Sequence, residues 1–250
     1  MGFGGVVTKS ATIAPSAGNP QPRMAFGKGY LISADGIRNQ GYKAMANNIK
    51  EVKRNGISIP VTASVAGASP EEFVEMSLEF ERKEADAIEL NLVCPNRGSM
   101  VGKTRDETLG RYWSETPERS YTVVRAVKDV VRIPVWAKFP FEIVYRDSRI
   151  VQKMEEAGVD AAVATVTMPR AMAINLKTGK PVLGNPRGSG AVGGPTMKPL
   201  GINCISEISR LVRIPVIATG GVFSGLDVID VFLLVLFPNH RESLFGKITG

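Results

Sequence analysis

The chain has 250 residues, 44% hydrophobic and 22% charged, which is ordinary globular composition and enough for one sizeable core. Its net charge is +7, but the basic residues are scattered, without runs of like charge or interleaved aromatics, and this argues against a nucleic-acid partner. Two widely separated cysteines exclude a disulfide framework and a zinc pattern, and a single histidine, His240, excludes a Ser-His-Asp mechanism and a His-rich metal site.

The most apolar run, Val228 to Pro238, falls short of the roughly 18 residues needed to cross a bilayer and carries Asp230. The N-terminus lacks a signal-peptide pattern, because its first lysine, Lys9, follows the apolar stretch instead of preceding it. The expectation is a cytoplasmic protein with no membrane segment.

In chain order, Gly4 to Thr8 reads as a strand, followed by a long polar loop through Gly18, Pro20 and Pro22. Gln40 to Asn55 reads as a helix and Ile59 to Val65 as a strand. Ser69-Pro70-Glu71-Glu72 opens the next helix, with serine at the cap, proline at the first helical position and acids in the first turn. Ala87 to Val93 is a strand, Pro117 to Val131 a helix, Ile133 to Phe139 a strand, Ser148 to Ala157 a helix and Asp160 to Thr167 a strand. A Gly/Pro-rich excursion fills Pro169 to Pro195. A helix over Leu200 to Val212, a strand over Ile214 to Thr219 and a helical pattern from Leu226 complete the series.

Ile59-Pro60, Ile133-Pro134 and Ile214-Pro215 repeat one α-to-β joint. Apolar strands alternating with helices imply a parallel sheet covered on both faces. Lys9, Asn91, Lys138, Thr167 and Gly220-Gly221 all stand at the C-terminal ends of different strands. In a β/α barrel those ends converge on one mouth, so the α/β class expected is the TIM (β/α)8 barrel rather than an open sheet.

Several of these residues suggest chemistry. Lys9 and Lys138 each end an apolar strand, and two lysines at one mouth fit an anionic ligand. The glycines of Thr178 to Gly194, and Gly220-Gly221 before a helix, would let backbone amides approach a phosphate or a flat ring. Cys204 lies in a helical pattern and reads as a small core residue. Cys94 follows a strand among Asn91, Asn96 and Arg97, where a thiol of lowered pKa could act as a base.

Val6-Val7-Thr8-Lys9-Ser10, Gly18-Asn19-Pro20-Gln21-Pro22-Arg23, Asn39-Gln40-Gly41, Ser64-Val65-Ala66-Gly67, Glu89-Leu90-Asn91-Leu92-Val93-Cys94-Pro95-Asn96, Ala137-Lys138-Phe139-Pro140, Gly193-Gly194-Pro195-Thr196-Met197-Lys198-Pro199 and Ala218-Thr219-Gly220-Gly221 occur in this order. Together they resemble class 1 dihydroorotate dehydrogenases, a superfamily that includes the pyrimidine-reducing domain of dihydropyrimidine dehydrogenase. The resemblance implies a barrel holding FMN and oxidation of dihydroorotate to orotate in pyrimidine biosynthesis. Cys94 matches the catalytic base, taking a proton from C5 while a hydride leaves C6 for the flavin. Lys9, Ser10, Asn91 and Lys138 would lie against the flavin, with Gly193, Gly194, Gly220 and Gly221 at its ribityl and phosphate groups. Lys9, Asn39, Asn91, Asn96 and Thr167 would meet the substrate. A homodimer, or an iron–sulfur partner subunit passing electrons to NAD, fits the same resemblance, as does fumarate as acceptor.

The sequence departs from the family pattern in three places. Val166 stands where an asparagine is expected, which points to a related dihydropyrimidine-type reductase as the alternative. Only Met1-Gly2-Phe3 precede Gly4 where a first strand is expected, and residues 231–250 read as an atypical tail. One domain over residues 1–250 is therefore expected, a barrel lacking its first strand and its normal eighth strand. An inactive truncated flavin-binding fragment is the remaining alternative.

Overall fold

The computed structural model describes residues 4–94 and 109–236. The strands are β1 (Val6–Val7), β2 (Met24–Gly27), β3 (Tyr30–Ser33), β4 (Val61–Val65), β5 (Ala87–Asn91), β6 (Val135–Pro140), β7 (Ala161–Thr165), β8 (Met168–Ala171), β9 (Ile174–Asn175), β10 (Lys180–Pro181), β11 (Gly190–Gly193) and β12 (Val216–Thr219). The helices are α1 (Tyr42–Arg54), α2 (Pro70–Arg82), α3 (Pro117–Lys128), α4 (Glu142–Arg146), α5 (Arg149–Glu156), α6 (Lys198–Leu211) and α7 (Gly225–Leu236). The cap read from sequence forms as expected, with Ser69 Oγ accepting the N–H of Glu72; the structure adds a second ahead of α3, where Thr116 Oγ1 accepts that of Arg119.

The six strands expected from the sequence make one parallel sheet in the order β1-β4-β5-β6-β7-β12, with helices between successive strands. It is a partial (β/α)8 barrel, six strands of the eight that would close one. Among the described residues β1 pairs only with β4, and β12 only with β7. The valines of β1 are about half exposed, at 47% and 45%.

Strand alternation divides the sheet into two environments. Ala63, Val65, Ile88, Leu90, Val135, Ala137, Phe139, Ala162, Ala164 and Val166 pack in the main core with Phe73, Met76, Phe80, Val123, Ile150 and Ile208 of the helices. Each fully buried Val, Leu, Ile, Phe or Met among them contributes about 1.5–3 kcal/mol relative to exposure. The intervening positions, among them Ser64, Glu89, Asn91, Lys138 and Thr165, face the other side and are mostly polar.

The repeated Ile-Pro joint has a physical basis. Proline lacks an N–H and so tolerates the first position of a strand, where its carbonyl opens the ladder. Pro60, Pro134 and Pro215 each accept an N–H from the neighbouring strand, from Val6, Ile88 and Ala162 respectively, at 2.8–2.9 Å. Carboxylates satisfy the amides on either side. Asp86 Oδ2 accepts Val61 N–H at 2.6 Å and pairs with Lys53, while Asp160 Oδ2 accepts Val135 N–H at 2.6 Å and pairs with Lys128. Glu81 Oε1 takes the N–H groups of Arg132 and Ile133, and Glu155 Oε1 those of Arg213 and Ile214.

The segments expected to be irregular are not. The polar loop after β1 contains the β2–β3 hairpin, and the Gly/Pro-rich excursion contains β8 to β11. Together they build an antiparallel sheet in the order β2-β3-β11-β8, with β9 and β10 as a separate hairpin. Short strands rich in Gly and Pro carry a weak alternation signal, which is why they read as loops. Helix α7 extends to Leu236, into the segment read as an atypical tail, and residues 237–250 lie outside the described ones.

Candidate active site

The inward polar residues of four adjacent chain segments form a continuous column. Asn91 Nδ2 donates to Ser10 Oγ at 2.8 Å, and Ser10 and Ser64 share a hydrogen bond at 2.9 Å. Ser64 Oγ donates to Glu89 Oε1 at 2.9 Å, and the Lys138 ammonium pairs with that same oxygen. Ser10, Ser64, Glu89 and Asn91 are buried, and Lys138 is largely so. Three of the expected ligand-binding residues, Ser10, Asn91 and Lys138, are thus brought together. Ser64 and Glu89 lie within the family motifs, but no role was read for either. Their signal is alternation: Glu89 stands two residues before Asn91 and so shares its face.

Cys94 lies three residues past Asn91, just beyond the end of β5, and is partly exposed. Gly110 packs on it: a side chain there would stand 3.0 Å from Cys94 Cβ, and Gly110 has φ +62°. Arg111 N–H donates to the Cys94 carbonyl at 3.3 Å, and the Arg111 guanidinium pairs with Glu142 at 2.6 Å. Cys204 behaves as read, buried in α6 with its thiol pushed up to about 12 by burial. Asn96 lies outside the described residues.

Lys9 is half exposed and pairs with Asp35 at 2.8 Å. Burial opposes ionisation of Asp35, but the hydrogen bond and charge of Lys9 outweigh it and hold the carboxyl below the usual range. The Asn39 amide is committed to the turn that carries it. Its oxygen accepts the N–H groups of Thr12 and Gly41, and its nitrogen donates to Thr12 Oγ1 and the Ile37 carbonyl. Thr167 follows β7 and lies beside Gly193, where a Cβ would meet Thr167 Cγ2 at an unstrained 3.8 Å.

The other glycines are held by their own backbone. Gly194 has φ +109° and backs onto Tyr30. Side chains on Gly220 and Gly221 would stand 2.7 Å from the Val166 carbonyl and 2.6 Å from Lys198 Cα. The helix that follows is capped internally: Asp227 Oδ2 accepts the N–H groups of Phe223 and Ser224, while Asp227 N–H donates back to Ser224 Oγ. Asp227 also pairs with Lys198, which holds its carboxyl well below the usual range.

Val166 is fully buried and belongs to the layer between sheet and helices, facing Gly201 and Gly220. Alternation turns its side chain away from the polar face.

The residues present fit the polar edge of a flavin. Lys138 spends one donor on Glu89 and has three. Thr165 Oγ1, on the polar face at the end of β7, is buried without a hydrogen-bond partner, the signature of a group waiting for a ligand or water.

The dihydroorotate dehydrogenase family profile matches residues 1–234. The dihydroorotate dehydrogenase B (NAD(+)) catalytic subunit of Methanothermobacter thermautotrophicus is 35% identical over 245 residues, covering 98% of this chain and 75% of that protein. The subunits of the same description from Methanocella arvoryzae and Endomicrobium trichonymphae are each 36% identical, covering 93% and 92% of this chain and 72% and 71% of theirs. Polar residues gathered at the carboxyl ends of a parallel barrel sheet, a cysteine just beyond them and a match along nearly the whole chain lead to one conclusion: the chain belongs to the dihydroorotate dehydrogenase family.

Proposed function

We propose that the whole chain acts as one FMN-binding domain that oxidises dihydroorotate to orotate, with Cys94 as the base. The observation that carries this reading is the column Asn91–Ser10–Ser64–Glu89–Lys138, which ends three residues from Cys94. When bound, FMN supplies the acceptor for the hydride that leaves C6. Cys94, as thiolate, removes the proton from C5 on the opposite face, and Arg111 and Gly110 hold its backbone in place. Lys138 sets a positive charge at the polar edge of the bound group, where negative charge develops. Asn91 retains a second N–H and a second lone pair, which suit the imide edge of a pyrimidine. Lys9 would pair with the substrate carboxylate in exchange for Asp35. Asn39 shapes the loop, and Thr167 with Gly193 lines the wall beside the ring. Asn96 completes the substrate contacts.

The names of the relatives specify NAD(+) and a catalytic subunit, so the reading extends to electrons leaving through a second, iron–sulfur subunit to NAD in the cytoplasm. Among the described residues no helix is long and apolar enough to cross a membrane.

The test is anaerobic addition of dihydroorotate to the FMN-reconstituted chain. Bleaching of the flavin's visible band is expected. Protein that takes up FMN but is not bleached by dihydroorotate would refute the substrate assignment, and protein that takes up none would refute the cofactor.

A further inference from the structure

We infer that Glu89 is a positioning residue, whose carboxylate orders the polar column and tempers the charge of Lys138. The inference rests on the FMN reading above. The chemistry of the donors fixes the direction of the column. An ion-paired carboxylate only accepts, so Ser64 must spend its single proton on Glu89. Ser64 can then only accept from Ser10, which must spend its proton there and accept from the Asn91 amide. The Asn91 oxygen is left to accept Val93 N–H at 3.1 Å, which it does. One buried carboxylate therefore dictates the rotamer of two hydroxyls and the orientation of an amide on three different chain segments.

The same oxygen holds the Lys138 ammonium. The pair is nearly neutral, so Lys138 presents to a ligand a charge already partly compensated. Replacing Glu89 by glutamine keeps the shape and removes the compensation. It also ends the directional constraint, because an amide can donate as well as accept.

Three proteins decide the matter: the wild type, Glu89→Gln and Ser64→Ala, each reconstituted with FMN. For each, the FMN dissociation constant is read from flavin fluorescence, the flavin midpoint potential from spectrophotometric titration, and the melting temperature alongside. Glu89→Gln is expected to raise the midpoint potential, because uncompensated Lys138 favours the more negative reduced flavin. Ser64→Ala leaves the Glu89–Lys138 pair intact but frees Ser10 and Asn91. It is expected to weaken FMN binding by about tenfold, the effect of one ordered hydrogen bond, with the potential unmoved. A Glu89→Gln protein that melts lower yet keeps the wild-type potential overturns the inference, since that is what a purely structural carboxylate would do. Should Glu89→Gln not fold, Ser64→Ala decides alone, and an unchanged FMN affinity overturns it. Wild type that binds no FMN refutes the cofactor reading and this inference with it, whereas wild type that binds FMN alongside indifferent variants refutes the inference only.

Discussion

Val166 and Gly201 face each other across the sheet–helix layer: a methyl group on Gly201 would meet Val166 Cγ2 at 3.4 Å. This placement makes Val166 a packing residue, and the consequence is measurable. Val166→Ala should lower stability by about 2 kcal/mol through lost burial and a residual cavity. Val166→Asn should cost at least as much, because it buries an amide with no partner. Neither should change the KM for dihydroorotate in protein that folds. Denaturant melts and steady-state kinetics check both statements.

Cys94→Ala should leave FMN bound and slow flavin reduction by dihydroorotate by about 10²–10⁴, the usual weight of a general base. Stopped-flow reduction under anaerobic conditions measures it. A rate within a few-fold of wild type would remove Cys94 from the proton transfer.

Two glycines of similar appearance should respond differently to alanine. At Gly221, with φ +77° and Lys198 Cα only 2.6 Å from the added carbon, Gly→Ala should cost more than about 1 kcal/mol and lower the melting temperature. At Gly193 the nearest atom is 3.8 Å away, so Gly193→Ala should fold normally. If FMN lies against Gly193, the loss there appears in cofactor affinity instead.

Asp86 predicts a pH dependence. Burial opposes its ionisation, but the hydrogen bonds from Lys53 and from Val61 N–H prevail and hold its pKa below the usual value. Its contribution is therefore fully present above the ordinary Asp range near pH 4, and is lost as pH falls through the lower folded-state pKa. Asp86→Asn should remove about 1 kcal/mol at neutral pH, a modest figure because the carboxylate is partly exposed. The difference from wild type should shrink on acidification, as chemical denaturation at several pH values would show.

The parallel strands were legible as short apolar runs rich in β-branched residues, and the longer helices between them by their amphipathic period. The β2–β3 hairpin and the strands of the excursion were not, since their pairing is decided by partners distant in sequence: Val192 of β11 faces Ile32 of β3. Ser10, Asn91 and Lys138, which the structure joins in one column, were singled out by their motifs, and Asn91 and Lys138 also by their strand-end positions. Glu89 and Asp35 were not assigned roles, because nothing in a linear sequence shows which lysine a carboxylate will meet. The burial of Val166, one residue past β7, was not legible either, because a motif does not show which side of the sheet a side chain takes.

The polar column also bears on how the molecule assembles. Three of its four links join residues 49, 54 and 81 positions apart, whereas the Ser64–Glu89 link, like the ties of Asp86 and Asp160 between neighbouring strands, spans only 25. Longer loops cost more chain entropy to close, and parallel pairings return that cost late. A refolding chain is expected to secure its outer helical layer and strand starts first and to align Ser10 with Asn91 near the end, so that competence to hold a cofactor arrives after most of the secondary structure has returned.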